Sequence, residues 1–290
     1  MDERSALRRL AAALPAAGDD AALVDGLVVT TDMLHESTDF PAGTTRYTAG
    51  WRAVGASLSD VAAMGAKATA AVAAYAAPTL DEDELDAFLD GAVDVCEAVD
   101  AEYVGGDLDT TGEFTVATTA LGETDAPVRR AGANAGDVVC VTGALGRTAA
   151  GLRAFDAGET ERGNELFRFT PRVAAGVALA PHATAMMDSS DGLARSLHQL
   201  AEASDVGFDV SWDAVPVHDA VDEYAEDDAD RREMATTVGE DFELVCTVPA
   251  AAVDDARAAS PVPLAVVGDV VDEGVRLDGE PLADEGYTHG

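Results

Sequence analysis

The segment Met186-Met187-Asp188-Ser189-Ser190-Asp191-Gly192-Leu193 sets two carboxylates and two hydroxyls between an apolar run and a helical pattern. The two Met and the Ala-rich run before them read as the end of a buried strand. Gly192 reads as a turn, and Leu193, Leu197 and Leu200 recur at i, i+4 and i+7 of a helix. A strand-to-helix junction of this kind offers free backbone N–H groups to phosphate, and paired Asp at such a point would hold Mg²⁺. Asp and Ser are equally the commonest helix N-caps. On these residues alone the metal and cap readings stand level.

Other acids share this character. Asp20 follows Gly18-Asp19 and precedes a small apolar run, and Asp32 closes the β-rich stretch Val28 to Leu34 behind Thr30 and Thr31. Asp25-Gly26 between those two runs is a hairpin signal. Residues 44–66 carry a helical pattern through Tyr47, Trp51, Val54, Leu58 and Val61. From Phe40 to Leu80 the only acid is Asp60, where the chain-average acid content would give about eight. That helix is therefore expected to be buried or at an interface. An isolated Asp there needs a partner, for which a metal ion is the obvious candidate and a local cap the plain alternative. Asp107 ends Tyr103-Val104-Gly105-Gly106, a strand expected to run into a Gly-Gly turn that allows close backbone approach to a ligand. A second window, Leu166 to Met187, contains no acid and leads directly into Asp188 and Asp191.

The elements that must position these acids can be outlined. A short helix is expected over 5–14, capped by Ser5, and a strand over Ala68 to Ala76, ended by Pro78. An acidic amphipathic helix should run from Asp81 to Asp100, with a further strand from Phe114 to Leu121. Near Arg129-Arg130 the chain changes character, which places a domain boundary near residue 127 and divides the 290 residues into 1–127 and 128–290. In the second part, Asp137 to Thr142 reads as a strand and Gly146 as the start of a helix. Gly143-Ala144-Leu145-Gly146 is half a dinucleotide fingerprint, weak without a third Gly in register or an acid about twenty residues on. Thr237 to Val248 reads as a Gly turn entering a strand with alternating Phe242, Leu244 and Cys246. Residues 222–233 read as a solvated charge run, and Leu264 to Gly268 as the last strand.

Bulk composition narrows the function. The net charge is −37, from 55 acids against 18 bases, and Lys67 is the only lysine. Such an excess excludes nucleic acid and anionic membranes as partners. It is spread along the chain, so it does not mark a disordered tail. Self-repulsion of this size points to a cytosol of very high salt, as in halophiles that accumulate KCl. No signal peptide opens the chain, and its longest apolar runs are too short to span a bilayer. Cys96, Cys140 and Cys246 are scattered and odd in number, which fits reduced thiols and a cytoplasmic location. The five His show no metal-binding spacing.

Asp20, Asp32, Asp60, Asp107, Asp188 and Asp191 thus stand apart. No Gly-x-x-x-x-Gly-Lys loop and no His-Arg-Asp loop is present. With one lysine in the chain, phosphate charge must be met by metal ions, backbone N–H and Arg. Convergent carboxylates imply two or more Mg²⁺ bridging a polyphosphate, which is phosphoryl transfer by positioning and electrostatics.

Gly18-Asp19-Asp20-Ala21, Thr30-Thr31-Asp32-Met33-Leu34, Leu58-Ser59-Asp60-Val61-Ala62-Ala63-Met64-Gly65-Ala66, Gly105-Gly106-Asp107, Asp188-Ser189-Ser190-Asp191-Gly192-Leu193, Gly239-Glu240-Asp241-Phe242-Glu243-Leu244 and Gly286-Tyr287-Thr288-His289 occur in the order found in thiamine-monophosphate kinases, which the whole chain resembles. The resemblance implies an α/β (α+β type) PurM-like fold of two domains. In it, an N-terminal domain pairs into a dimeric β-barrel and an α/β domain follows. It implies a homodimer that converts ATP and thiamine monophosphate to ADP and thiamine diphosphate. Carried over position by position, it implies Asp20, Thr30, Thr31, Asp32, Asp60, Asp107, Asp188 and Asp191 as ligands of several Mg²⁺ ions. Gly106, Asp107, Arg130 and Ser190 become ATP contacts, with Tyr103 beside the nucleotide. Glu240 and Tyr287 contact the thiamine phosphate, and Asp39 takes a substrate-side place. K⁺ is kept as a candidate activator. No general base is implied, because an ionised phosphate oxygen is the nucleophile.

The sequence also departs from the family pattern. Ser37-Thr38-Asp39-Phe40 replaces Gly-x-His-Phe, so a carboxylate stands where relatives carry His. Ala56 replaces Asn, Leu108 replaces Thr and Ser189 replaces Ile. The chain ends at Gly290 without the aromatic usual after that His. Another ATP-using enzyme of the same superfamily, or a nucleotide- or cation-binding protein without catalysis, remain the alternatives. The charge makes a prediction of its own. The thermal unfolding midpoint should climb with KCl concentration, and a maximum at low salt would contradict the halophilic reading.

Overall fold

The computed structural model describes residues 9–10, 13–14 and 17–286. The helix expected over 5–14 falls mostly outside them, as do all of residues 287–290 and with them Tyr287. Five strands form the first sheet: β1 (Ala22–Val24), β2 (Leu27–His35), β3 (Lys67–Ala77), β4 (Glu102–Thr110) and β5 (Thr115–Glu123), in the spatial order β1-β2-β5-β3-β4. Asp25 and Gly26 join β1 to β2 with φ of 52° and 85°, which is the turn geometry that matches strand twist and that Asp-Gly favours. All pairings are antiparallel except β3 with β4, which needs a crossover.

Three helices accompany this sheet: α1 (Glu36–Asp39), α2 (Arg46–Ala63) and α3 (Glu82–Glu97), the last supplying the crossover. Thr45 caps α2 by accepting from the Thr48 N–H, and Gly65, at φ 65°, ends it. As the acid-free window implied, α2 is buried on nearly every face, which is what an all-round small and apolar helix requires. It packs on α3, on β2, β3 and β5, and on elements of the second half of the chain.

That half contains α4 (Arg147–Asp156), α5 (Thr160–Phe167), α6 (Val173–Leu179), α7 (Leu193–Ser204), α8 (Val221–Tyr224), α9 (Asp228–Thr236) and α10 (Val253–Ala259). Its seven strands are β6 (Asp137–Thr142), β7 (Ala185–Asp188), β8 (Gly207–Val210), β9 (Leu244–Pro249), β10 (Leu264–Val271), β11 (Val275–Leu277) and β12 (Glu280–Pro281), in the order β12-β11-β8-β10-β6-β9-β7. On edge strand β7, Met186 joins the core beneath α2 while Met187 joins the core beneath α7, the alternation that a strand imposes. One continuous apolar cluster, from Val28 through Val61 to Met186 and Leu244, joins the two sheets.

The structure corrects three local expectations. Gly105-Gly106 is no turn; both lie inside β4, with a register shift at Gly105. A Cβ on Gly106 would stand 1.8 Å from the Ala73 carbonyl oxygen, so the close approach that glycine permits is to β3 and not to a ligand. Phe242 is not part of the strand that starts at Leu244, since its φ is 54°. Leu264 opens a strand that runs on to Val271 and is followed by β11 and β12.

Among the described residues no element covers the face of the first sheet that turns away from α2 and α3. Met33 and Val104 lie exposed on it, at 58% and 57% of their surface, with Ala74 and Ala117 in the transverse row of Met33; Leu108, in the row of Tyr75 and Val116, belongs to the other face.

Candidate active site

Three segments that are far apart in sequence deliver one carboxylate each to a single point. Asp20 comes from the loop before β1, Asp60 from the last turns of α2, and Asp188 from the end of β7. One ligand oxygen from each lies within 4.8 Å of the others. Arg130 grips Asp20 with two bonds, Nη2 to Oδ1 at 2.9 Å and Nε to Oδ2 at 3.1 Å. Its backbone N–H and the Arg129 side chain hold Asp19 next door.

Helix α2 sets the other two carboxylates through its Ser-Leu-Ser-Asp segment. Ser59 Oγ donates to Asp188 Oδ2 at 2.7 Å, and Ser57 Oγ donates to Asp32 Oδ2 at 2.6 Å. Thr30 Oγ1, from β2, donates to Asp60 Oδ2. Thr31 Oγ1 instead donates to the Thr118 carbonyl across the sheet. The serines were not singled out in the sequence. Their role is visible only once β2 and β7 are known to flank α2.

Electrostatics here is severe. Burial, and then the neighbouring Asp32, Asp188 and Asp20 carboxylates, push the Asp60 carboxyl well above the usual range. Burial and then Asp20 push Asp188 up to about 7, although Ser59 and Arg130 oppose the shift. Burial opposes the Arg130 charge, but Asp20 outweighs it and raises its pKa. One guanidinium thus faces three carboxylates in a dry pocket, an imbalance that calls for added cation. Carboxylate and hydroxyl oxygens are the hard donors that suit Mg²⁺. By this test the residues fit the metal.

Asp188 ends its strand and Gly192 occupies the N-cap of α7. The caps expected there do not come from Asp188, whose carboxylate faces the cluster. Asp191 accepts from Gln199 Nε2 at 3.4 Å. With Ser190, Asp32, Arg52, Glu240 and Phe242 it lines a cleft of about 80 Å³ beside the cluster. Ser189 accepts the Glu243 N–H through its hydroxyl at 3.0 Å and stays buried.

Glu240 sits on a loop pressed against Ser190. Its N–H donates to the Ser190 carbonyl at 2.6 Å, and a Cβ on Gly239 would stand 2.2 Å from that same oxygen, so only glycine fits there. Asp241 accepts from the Gly146 and Thr148 N–H groups at the start of α4, at 2.5 and 2.9 Å, and burial raises its carboxyl to about 7. The half fingerprint at Gly143 to Gly146 therefore presents its helix N-terminus to the protein's own carboxylate. Arg52 was also missed, because a lone Arg in an apolar helix carries no local signal. It is fully buried, and its Nη2 meets Glu240 Oε2 at 2.8 Å.

The remaining named residues lie apart from the cluster. Asp39 Oδ2 accepts from the His35 N–H and from Thr38 Oγ1, both at 2.7 Å, and the residue borders a second cleft of about 270 Å³ that also touches Glu240. Gly106 and Asp107 are on edge strand β4. Asp107 shares a row with Ala74, Ala117 and Met33, which sets it about 14 Å along the sheet from the strand that bears Asp32. Tyr103 packs on the first core, and burial raises its hydroxyl pKa.

Residues 18–124 match the N-terminal domain of AIR synthase related proteins, and residues 134–279 match the C-terminal domain of the same class. The fold is that of this class. Within it the chain belongs to the thiamine-monophosphate kinase family. It is 63% identical to a thiamine-monophosphate kinase of Halobacterium salinarum, over the full length of both. It is 38% identical to that of Methanospirillum hungatei, covering 100% of this chain and 99% of the relative. Among solved structures, AaThiL complexed with AMPPCP and TMP superposes with a TM-score of 0.89 at 28% identity, covering 100% of this chain and 97% of that one. The Halobacterium relative agrees with the high-salt reading of the charge.

The raised carboxyls predict a pH-dependent metal site. Asp188 and Asp60 in the fold keep protons to higher pH than unfolded carboxylates, which ionise near 4. As pH rises above that value the folded state binds more protons than the unfolded one, so these groups erode the stability of the metal-free protein. Mg²⁺ must displace those protons. Calorimetry in KCl should show apparent affinity falling below pH 7, by up to about tenfold per pH unit for each proton displaced. A flat profile from pH 6 to 8 would show that the cluster does not hold the ion.

Proposed function

We propose that the chain transfers the γ-phosphoryl group of ATP to the phosphate of thiamine monophosphate, giving ADP and thiamine diphosphate. The observation that carries this reading is the buried Asp20, Asp60 and Asp188 cluster opening beside the cleft of Ser190, Asp191 and Glu240. In the reaction, the bond from the γ-phosphorus to the ADP oxygen breaks as a bond from an acceptor phosphate oxygen forms. That oxygen is already ionised near neutral pH, so no side chain has to remove a proton. Mg²⁺ at the cluster would neutralise and bridge the polyphosphate charge. The chain's own part is positioning: Ser57, Ser59, Thr30 and Arg130 fix the carboxylates, and Asp32 and Asp191 extend the oxygen set along the cleft, while Thr31 turns to the Thr118 carbonyl.

ATP contacts are assigned to Ser190 and Arg130 near the cluster and to Gly106, Asp107 and Tyr103 along the edge of the first sheet. This lays the nucleotide across that sheet. Several Mg²⁺ ions, with K⁺ as activator, and a cytoplasmic setting complete the reading. Among the described residues no helix is long and apolar enough to cross a membrane. The two domains are taken as 1–127 and 128–290, supported by the first sheet ending at Glu123 and the second beginning at Asp137.

An end-point assay in high KCl should give thiamine diphosphate and ADP only when ATP, Mg²⁺ and thiamine monophosphate are all present. Binding without ADP would mark a non-catalytic protein, and turnover of a different acceptor a sister enzyme. Asp188→Asn should cut turnover by about 100-fold or more. Its melting point without metal should hold or rise, because the change removes one charge from a crowded cluster.

A second copy of the chain is proposed to cover the open face that carries Met33 and Val104, since exposed apolar side chains on a sheet face call for a partner. Light scattering should give a dimer mass for the wild-type protein and a monomer for Met33→Asp with Val104→Asp. A monomeric wild type refutes the pairing.

A further inference from the structure

The Arg52 and Glu240 pair asks for an explanation that fold stability does not supply. Arg52 has 1% of its side chain exposed and Glu240 15%. Around the guanidinium stand three aromatic rings, Phe167 at 3.9 Å, Phe242 at 5.7 Å and Phe169 at 5.8 Å. Nη1 donates to the Phe167 carbonyl at 2.9 Å, whereas Nε is buried with no partner. A buried ion pair is seldom a net gain for stability over an apolar pair of equal size. Its one distinct product is orientation.

What it orients is Glu240. Besides the salt bridge, the Glu240 N–H binds Ser190, and its carbonyl accepts from Thr148 Oγ1 at 2.7 Å. Its backbone sits at φ 66°, a conformation a non-glycine residue holds only where its surroundings insist. The carboxylate is thereby fixed at the one place that borders both the 80 Å³ and the 270 Å³ clefts.

The smaller cleft has an apolar wall of Leu34, Ala56 and Phe242 and an acidic wall of Asp32, Asp191 and Glu240. Phe242 stacks flat on Phe169, with centroids 4.2 Å apart. Arg52 is the only cation among the lining residues, and Glu240, Asp32 and Asp191 outnumber it. A phosphate would be repelled by such a surface unless metal intervened. A flat organic cation would be attracted by both walls, through charge and through the aromatic face. The acceptor in the reading above has such a group, its positively charged thiazolium ring.

We propose that Arg52 is a positioning residue that selects the acceptor by charge: it aims the Glu240 carboxylate at the cationic ring, leaving the acceptor phosphate to the metal cluster. This rests on the kinase reading. It also explains how Asp39 can replace a His. At the far cleft, which Glu240 shares, a carboxylate faces the cationic organic end of the substrate and not its phosphate.

The test compares kcat/KM for thiamine monophosphate with that for deazathiamine monophosphate, whose thiophene ring has the same shape and no charge. Wild type, Arg52→Lys, Arg52→Gln and Glu240→Gln are assayed in high KCl with Mg²⁺ and ATP. Wild type should prefer the charged substrate by about tenfold or more. Glu240→Gln and Arg52→Gln should bring the ratio close to one, and Arg52→Lys should keep part of it. A merely structural Arg52 would weaken both substrates alike and leave the ratio untouched, and that result overturns the proposal. If Arg52→Gln does not fold, Glu240→Gln decides alone, with an unchanged ratio again counting against it. A wild type that makes no diphosphate from either compound overturns the kinase reading itself, and this inference with it.

Discussion

Three carboxylates forced together in a dry pocket against one guanidinium are the constraint on which this molecule is built. Left alone, Asp20, Asp60 and Asp188 repel, and the fold answers by letting Asp60 and Asp188 keep protons far above the ordinary range. Nothing in a stability argument favours such a cluster. It persists because each member is locked by a separate donor: Arg130 for Asp20, Thr30 for Asp60 and Ser59 for Asp188. Each donor comes from a segment other than the one that carries its acid, so loosening any one segment would release the cluster. Strain of this kind at a site, compensated by the surrounding packing, is the usual mark of function.

Helix α2 is where the compensation is concentrated. Along 18 residues it presents Arg52 to the Glu240 loop, Ser57 to β2, Ser59 to β7 and Asp60 to the cluster. Residues at successive 100° steps can serve different neighbours only if the helix is surrounded, and α2 is. That explains its composition. A helix flanked by two sheets and two helices has no solvent face on which to carry acid, and small side chains let its neighbours approach closely. The absence of acid from Phe40 to Leu80 in so acidic a chain therefore records burial, and the single exception records the site.

Much of this was legible beforehand because those signals are local or compositional. The Asp25-Gly26 hairpin, β3 stopping before Pro78, the buried α2 and the strand ending at Asp188 follow from turn chemistry, a missing N–H and charge depletion. What was not legible depended on partners distant in sequence. Gly105-Gly106 reads as a turn in isolation and becomes a strand interior only because β3 lies 1.8 Å from where a Cβ would be. Asp241 reads as one more acid in a strand and becomes the cap of a helix that starts 95 residues earlier. Arg52 and Ser57 carry no pattern at all, since their meaning lies in Glu240 and Asp32. The same is true of Asp107. The motif names it with the metal acids, but the sheet sets it on the opposite edge.

The charge outside the site bears on the chemistry inside it. A chain of net charge −37 presents a repulsive field to any polyanion, and ATP is one. At low ionic strength that field reaches tens of ångströms, whereas near molar salt it decays within about 3 Å. High salt therefore does two things for this molecule. It quiets self-repulsion among surface acids, and it lets a polyphosphate approach the carboxylate cluster that would hold the metal. Three of the cations are placed where salt substitutes for them least. Arg52 is buried against Glu240, and Arg130 and Arg172 are half-buried against the buried Asp20 and Glu243 carboxylates; bulk ions screen such pairs poorly. An acidic exterior tuned to salt and an interior of fixed Arg–carboxylate pairs are thus two answers to one problem: how to bring negatively charged substrates to a site built of negative charge.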